Sequence, residues 1–400
     1  FPGYFLIVQD FVESAKKLGV RVGPGRGSAA GSLVAYLLGI TNINPLPYDL
    51  LFERFLNPDR VSMPDIDIDF SDDKRELVID YVKKKYGEES VSQIITFNKL
   101  SSRAVLKDVG RVLGIHHSEI NTITSKIPVI LGKVVELEKA IELPELKPIL
   151  NNAEGVMKQL LEYSLLLEGF YKNPSIHAAG VVIAPGNVFD YVPLYKRSGS
   201  TELASQYSMK DLEEAGLLKM DFLGLRTLSI IDNTLEMIEK NHGIKIDIEK
   251  IDFDDNKTYE LFSSGSTLAI FQFESKGMQE YLRQLKPKSL EEITAMNALY
   301  RPGPLENIPM YIERKHGKQK IEYLHPIMER SLKTTYGVIV YQEQVMQLAR
   351  DIAGYSLGQA DILRRAKGKK DKDVMAKQMP IFVESALKNG LDKKTAVEIF

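Results

Sequence analysis

Apolar positions recur at helical spacing across residues 1–18, and a helix is expected there. The short VRV and the glycine-rich GPGRGSAAGS follow, and SAAGSLVAYLLG, rich in alanine and leucine, predicts a buried helix. A strand is expected at residues 61–70 (VSMPDIDIDF), where MPDIDIDF sets three carboxylates at strict alternation with apolar residues, the period of a strand. A charged helix is expected over 72–86 and another strand at SQIITF. From 98 to about 170 strand signals fade and leucine-rich helical segments with few glycines dominate. Strands return at HAAGVVIAP, LASQYS and LLKMDF. After Leu225 the pattern is mainly helical, broken by loop signals such as YRPGP and by the basic RRAKGKKDKD. No internal repeat or low-complexity tract occurs. The fold class expected is α+β: one domain interrupted by a helical insertion, then a second helical domain.

The strand at 61–70 carries chemistry. Asp65, Asp67 and Asp69 are separated only by Ile66 and Ile68, so alternation sends the isoleucines into a core and the carboxylates to the other face. Successive carboxylates would stand about 7 Å apart at Cα, and like charges so close call for a cation. D-x-D-x-D also opens an EF-hand, and Glu76 falls at its twelfth position. Against that loop, position six is Phe70 where glycine is needed, and Pro64 disfavours a helix leading in. A solvated strand face would mix lysine or threonine with the acids. The remaining reading is a Mg²⁺ site using carboxylates and phosphate oxygens, as in nucleotidyl transfer.

Other motifs bear on that reading. Gly23-Pro-Gly-Arg-Gly-Ser28 has glycines that let backbone approach a ligand. Ser28 is placed to cap the next helix, whose N–H groups bind anions, and Arg26 offers a fork suited to phosphate. The Walker spacing is absent, and a tight turn before a helix is the plainer account. In LLKMDFLGL, Lys219 and Asp221 share a face at i and i+2. Alone they read as a surface ion pair; beside a two-metal site they supply a further metal ligand and a triphosphate contact. Lys99, Arg103, Lys107 and Arg111 recur every four residues, an expected basic ridge along one helix, either solvated or tracking phosphates. His177 reads as structural, and His116, His117, His242, His316 and His325 show no metal spacing.

Composition narrows the class. Four hundred residues, 44 % hydrophobic and 26 % charged, describe a globular chain of two or three domains. The net charge of −2 is neutral as regards nucleic acid, so local patches must decide. Cysteine is absent, which excludes disulfides and thiolate metal sites and suggests an intracellular setting. No signal-peptide pattern and no bilayer-spanning apolar run occurs. Opening at FPGYFLIVQDF without methionine and stopping at TAVEIF, the chain is expected to be a fragment of a longer protein.

GPGRGSAAGSLVAYLLGIT, LLFERFLNPDRVSMPDIDIDF, HAAGVVIAP, KMDFLGL, ALYRPGPLE, YGVIVYQEQVMQLA and LGQADILRRAKGKK, in that order, resemble the bacterial DNA polymerase III alpha subunit family, the C-family replicative polymerases. The resemblance implies a polymerase-beta-like nucleotidyltransferase palm at 1–96 and 176–225, an inserted helical thumb at 97–175 and truncated fingers from 226 to 400. It implies that Asp65, Asp67 and Asp221 are the catalytic acids holding two Mg²⁺ ions, with Asp69 outside that set. Gly27 and Ser28 would hold the triphosphate, with Lys219, Arg26, Arg54, Arg364 and Arg365 as basic residues around the nucleotide. Lys99, Arg103, Lys107 and Arg111 would face DNA.

Three departures stand out. The resemblance leads to the expectation that the family's amino-terminal phosphoesterase-like domain and its later fingers, clamp-binding and subunit-binding parts lie outside these residues, and L-R-R-A-M reads LRRAK, placing Lys367. The function expected is a cytoplasmic, Mg²⁺-dependent DNA-directed DNA polymerase core of chromosomal replication acting on primer–template DNA and dNTPs. In the longer protein the sliding clamp and other replisome subunits are the expected partners, and no membrane is involved. The alternative is a non-catalytic fragment that binds primer–template.

Overall fold

The computed structural model describes every residue except 1, 60–63, 131–132, 151–153, 198 and 200–201. Eight strands lie among the described residues: β1 (Asp67–Ser71), β2 (Val91–Lys99), β3 (Val129–Ile130), β4 (Lys133–Val134), β5 (Tyr171–Ile183), β6 (Leu194–Lys196), β7 (Leu203–Ser205) and β8 (Leu218–Leu225). Helices make up most of the rest, so the α+β expectation describes the chain. By contacts the chain forms two compact units, one of Phe1–Lys85 with Met220–Phe400, the other of Tyr86–Lys219. These cuts fall elsewhere than the boundaries expected at 96/97, 175/176 and 225/226.

In the first unit, helix Pro2–Lys17 buries Tyr4, Val8, Phe11, Val12 and Ala15, the i, i+4, i+7 stripe of its sequence. Phe11 and Phe70 of β1 both meet the Phe222 ring of β8 edge-on, at 5.1 and 5.5 Å between centroids. Strands β1 and β8 pair in parallel, Asp67 opposite Asp221 and Phe70 opposite Gly224. On its other side β1 meets the VRV segment through an antiparallel bridge between Val22 and Phe70. Beyond β8 the helices pack around two cores. One includes Met278, Leu282, Met296 and Tyr311; the other includes Met346, Ile352, Ala360 and Phe382.

The helix expected over SAAGSLVAYLLG is a 3-10 turn, Ala29–Gly31, and a separate short helix, Leu33–Leu37. Ser32 breaks it: its backbone is extended, and its Oγ accepts the Ala35 N–H at 3.2 Å. The segment is not buried as expected, because Leu33, Val34 and Leu37 are exposed.

In the second unit β2 pairs antiparallel with β5 and parallel with β7, and β6 pairs antiparallel with β7, a mixed sheet. Leu100–Phe170 forms the helical insertion, closed at its base by backbone hydrogen bonds between Leu100 and both Phe170 and Gly169. Helix Ser102–Val112 buries Val105, Leu106 and Val109 against Ile120, Ile123 and Leu160, the core expected from its leucine-rich pattern. The hairpin β3–β4 within it is a strand pair that the fading alternation did not announce.

Candidate active site

The alternation of residues 64–70 is seen in burial: Ile66, Ile68 and Phe70 are 2 %, 4 % and 0 % exposed, while Asp65, Asp67 and Asp69 are less covered. Asp67 and Asp69 stand on β1 itself. Asp65 lies in the extended segment leading into it, and residues 61–63 of the expected strand fall outside the described residues. The strand sets aside the EF-hand loop, and Glu76, its twelfth position, pairs with Arg75 at 2.7 Å.

Asp65, Asp67 and Asp221 come together. One carboxylate oxygen of each lies within 4.8 Å of the others. The register explains it, since paired strands run about 4.8 Å apart and residues opposite each other in a parallel pair project to one side. Hard carboxylate oxygens in this cluster suit a hard divalent cation such as Mg²⁺. Asp69 shares the strand face but not the cluster: its Oδ1 accepts from Arg26 Nη1 at 2.9 Å, and its side chain is 12 % exposed.

The glycine loop is seated on the same strand. Gly23 N–H donates to Asp69 O at 2.8 Å, and a Cβ at Gly23 would stand 3.0 Å from the Asp69 Cβ. Gly27 adopts φ +64°, and a Cβ there would come 3.8 Å from Asp67 Oδ2, so backbone runs beside the acids with no side chain between. Ser28 does not cap a helix with its side chain; Ser32 takes that role, four residues later, where the backbone turns extended.

Of the other basic candidates, Arg54 and Arg364 are brought together by the Gln342 amide. Its Oε1 accepts from Arg54 Nε at 3.1 Å and from Arg364 Nη1 at 2.9 Å. Arg54 Nη1 also pairs with Glu343 at 2.8 Å, and Arg364 pairs with the fully buried Asp361. Arg365 is half-buried on the same helix as Arg364. Lys219 lies two residues before Asp221 on β8, at the second unit's edge of the strand.

The basic ridge is not one helical face. Lys99 ends β2 and its Nζ lies 4.9 Å from the Tyr171 ring centroid, because the helix starts only at Ser102. Arg103 turns inward and donates from Nε to the Ile127 carbonyl at 3.1 Å, bracing the end of the neighbouring helix. Lys107 is exposed and Arg111 lies 3.4 Å from Asp108. His177 stands within β5, where Nδ1 accepts the Gly180 N–H at 2.7 Å, a structural role as expected.

Two residues escaped sequence reasoning. The Tyr4 hydroxyl accepts the Ile66 N–H at 3.2 Å, fixing the backbone between Asp65 and Asp67. Burial pushes the Tyr4 phenol well above its usual range, and the charges of Asp65, Asp67 and Asp221 push it further, against the Ile66 bond. A tyrosine on an apolar helix stripe carries no signal of this. Gln342 is the second, an uncharged residue in a motif read only for resemblance.

Residues 1–224 match the family described as bacterial DNA polymerase III alpha NTPase domain, and residues 227–390 match the bacterial DNA polymerase III alpha subunit finger domain. The whole chain aligns at 51 % identity with 34 % of a DNA polymerase III subunit alpha of Rickettsia prowazekii. Identity is 50 % to the protein of that name from Thermus aquaticus, of which 33 % is covered, and 50 % to that of Staphylococcus aureus, 37 % covered. The chain thus belongs to the bacterial DNA polymerase III alpha family and spans about a third of the length of these relatives.

Proposed function

We propose, with family membership as the premise, that this chain is the catalytic core of a DNA-directed DNA polymerase that adds deoxynucleotides from dNTPs to a primer 3′-hydroxyl on a DNA template. The observation that carries the reading is the convergence of Asp65, Asp67 and Asp221 across the parallel β1–β8 register, beside the glycine loop. In this reading the three carboxylates hold two Mg²⁺ ions. When bound, such ions lower the pKa of an attacking hydroxyl and neutralise charge on the phosphates and leaving group.

The chain's own residues do the rest. Backbone at Gly27 approaches the triphosphate and the Ser28 hydroxyl donates to it. Arg26, Arg54, Lys219, Arg364 and Arg365 offset its charge and hold it in line with the primer end. Of the four basic residues Lys99, Lys107 and Arg111 are exposed and are proposed to lie toward the duplex phosphates, while Arg103 is turned to the Ile127 carbonyl. A polymerase-beta-like palm at 1–96 and 176–225, a thumb at 97–175 and fingers from 226 belong to the same proposal. So do a cytoplasmic location and, in the longer relatives, a sliding clamp and other replisome partners. Among the described residues no helix is long and apolar enough to cross a membrane.

The test is single-nucleotide incorporation by the 400-residue chain on a labelled primer–template with Mg²⁺, beside Asp221→Asn. Incorporation by the parent and its loss in the variant, with primer–template affinity kept, is the expected result. Binding of primer–template without incorporation would reduce the chain to a non-catalytic DNA-binding fragment.

A further inference from the structure

Arg54 and Arg364 arrive from segments 310 residues apart, the difference of their numbers, yet both donate to one atom. The two bonds to Gln342 Oε1 sum to 6.0 Å, so Arg54 Nε and Arg364 Nη1 cannot be further apart than that. Each arginine also has its own carboxylate, Glu343 and Asp361, and these four charges cancel. Asn57 ties the assembly down from the Arg54 side, donating from Nδ2 to Gly358 O at 3.0 Å and to Asp361 Oδ2 at 3.4 Å. Among the described residues nothing accepts from Arg54 Nη2, and the half-buried Arg365 makes neither a hydrogen bond nor an ion pair.

We propose that Gln342 is a positioning residue for the triphosphate: a neutral acceptor that fixes two guanidinium groups side by side and adds no negative charge to a cluster whose carboxylates already balance them. This rests on the reading that Arg54 and Arg364 bind the triphosphate. The amide is chosen by chemistry. Glu343 and Asp361 each hold one guanidinium, whereas the shared acceptor sets the two relative to each other, and a guanidinium fork matches phosphate only when its plane is set. A carboxylate at 342 would orient them equally well, but would bring the cluster to a net negative charge and compete with phosphate oxygens. An apolar side chain of the same size would leave the charge and lose the orientation. The site thus requires both polarity and neutrality at this position, which only an amide of this length supplies among the common side chains.

The test compares Gln342→Met and Gln342→Glu with Arg54→Lys and Arg364→Lys. It reads the Kd for dATP by calorimetric titration with Mg²⁺ and primer–template, the KM and kcat of incorporation, and the thermal midpoint. A hydrogen bond to a charged group is worth about ten-fold or more in a binding constant. Gln342→Met should therefore raise Kd and KM about ten-fold while kcat stays close to the parent's. Gln342→Glu should raise them at least as much at an undiminished thermal midpoint, a combination that a merely structural role would not give. If the arginine variants weaken dATP binding and Gln342→Glu binds like the parent, the role of Gln342 is overturned and the triphosphate reading survives. If neither arginine variant weakens binding, or the parent binds no dATP, the triphosphate reading falls and the inference with it.

Discussion

Replacing Asp221 by Asn should more than halve the stabilisation that Mg²⁺ gives. Oxygens of Asp67 and Asp221 lie within 4.8 Å of each other, where two unit charges repel by about 3.5 kcal/mol at an effective dielectric of 20. Asp67 is partly open to solvent, so screening leaves on the order of 1–2 kcal/mol. Asn keeps the shape and removes that repulsion, and in EDTA the variant should be the more stable protein by about that amount. A ligand at ten times its Kd stabilises by about 1.4 kcal/mol. The parent should gain this on adding Mg²⁺, and Asp221→Asn less than half of it. The chain contains no tryptophan, so urea unfolding is best followed by circular dichroism at the helical band. Equal stabilisation of parent and variant by Mg²⁺ would refute the cluster as a cation site. A variant less stable than the parent in EDTA would refute the repulsion argument.

Four further outcomes can be checked directly. Asp69→Asn should keep most of kcat and raise the nucleotide KM a few-fold through the loss of the Arg26 pair, whereas Asp67→Asn abolishes incorporation; equal loss in steady-state assays would show the acids to be wrongly divided. Lys107→Ala should lower the slope of log binding constant against log salt by about 0.9 without changing stability. Arg103→Ala should lower the melting temperature instead, because its guanidinium braces the Ile127 carbonyl. Glu292→Gln should cost about 3–5 kcal/mol in urea unfolding at pH 7, since it leaves the buried Lys315 without its counter-charge and held only by the Leu285 and Lys286 carbonyls. Burial pushes the Glu292 carboxyl up, but hydrogen bonds from Lys315, Tyr336 and the Lys288 N–H outweigh it and hold it below its ordinary value. Its contribution is therefore complete above the ordinary carboxylate range and is lost as pH falls through the lowered folded value. A variant and parent that diverge further on acidification would contradict this.

The local periods were readable and the long-range meetings were not. Alternation through Ile66, Ile68 and Phe70 marked the strand, and the stripe Val8–Phe11–Val12–Ala15 marked the helix packed near it. The pairing of Asp67 with Asp221 could not come from spacing, because a parallel pair needs a crossover and this one runs over residues 72–217. Resemblance supplied the third acid. The failures are local competitions between like signals. Ser28 and Ser32 both suit a cap, and only the extended backbone at Ser32 decides. The four-residue spacing from Lys99 to Arg111 continues across a strand end, which charge periodicity alone does not register. Gln342 was invisible for a different reason: its meaning depends on two arginines that only tertiary structure brings to it.

The crowding of three acids on one strand has two solutions at once. Asp65 and Asp67 converge with Asp221, where the proposed cation would answer the repulsion, while Asp69 is answered by Arg26 from the glycine loop. The second pairing serves the first. Gly23 is bonded to Asp69 O, and Arg26 to the Asp69 side chain, so both ends of the loop's first turn are fixed to the strand that carries the acids. Backbone at Gly27 then lies beside Asp67 by construction. A loop anchored elsewhere could drift relative to the carboxylates, whereas this one moves with them. For the proposed reaction, which would need phosphate and cation in fixed relation, a loop tied to the acid-bearing strand through a residue outside the cluster would make the third carboxylate worth its repulsion.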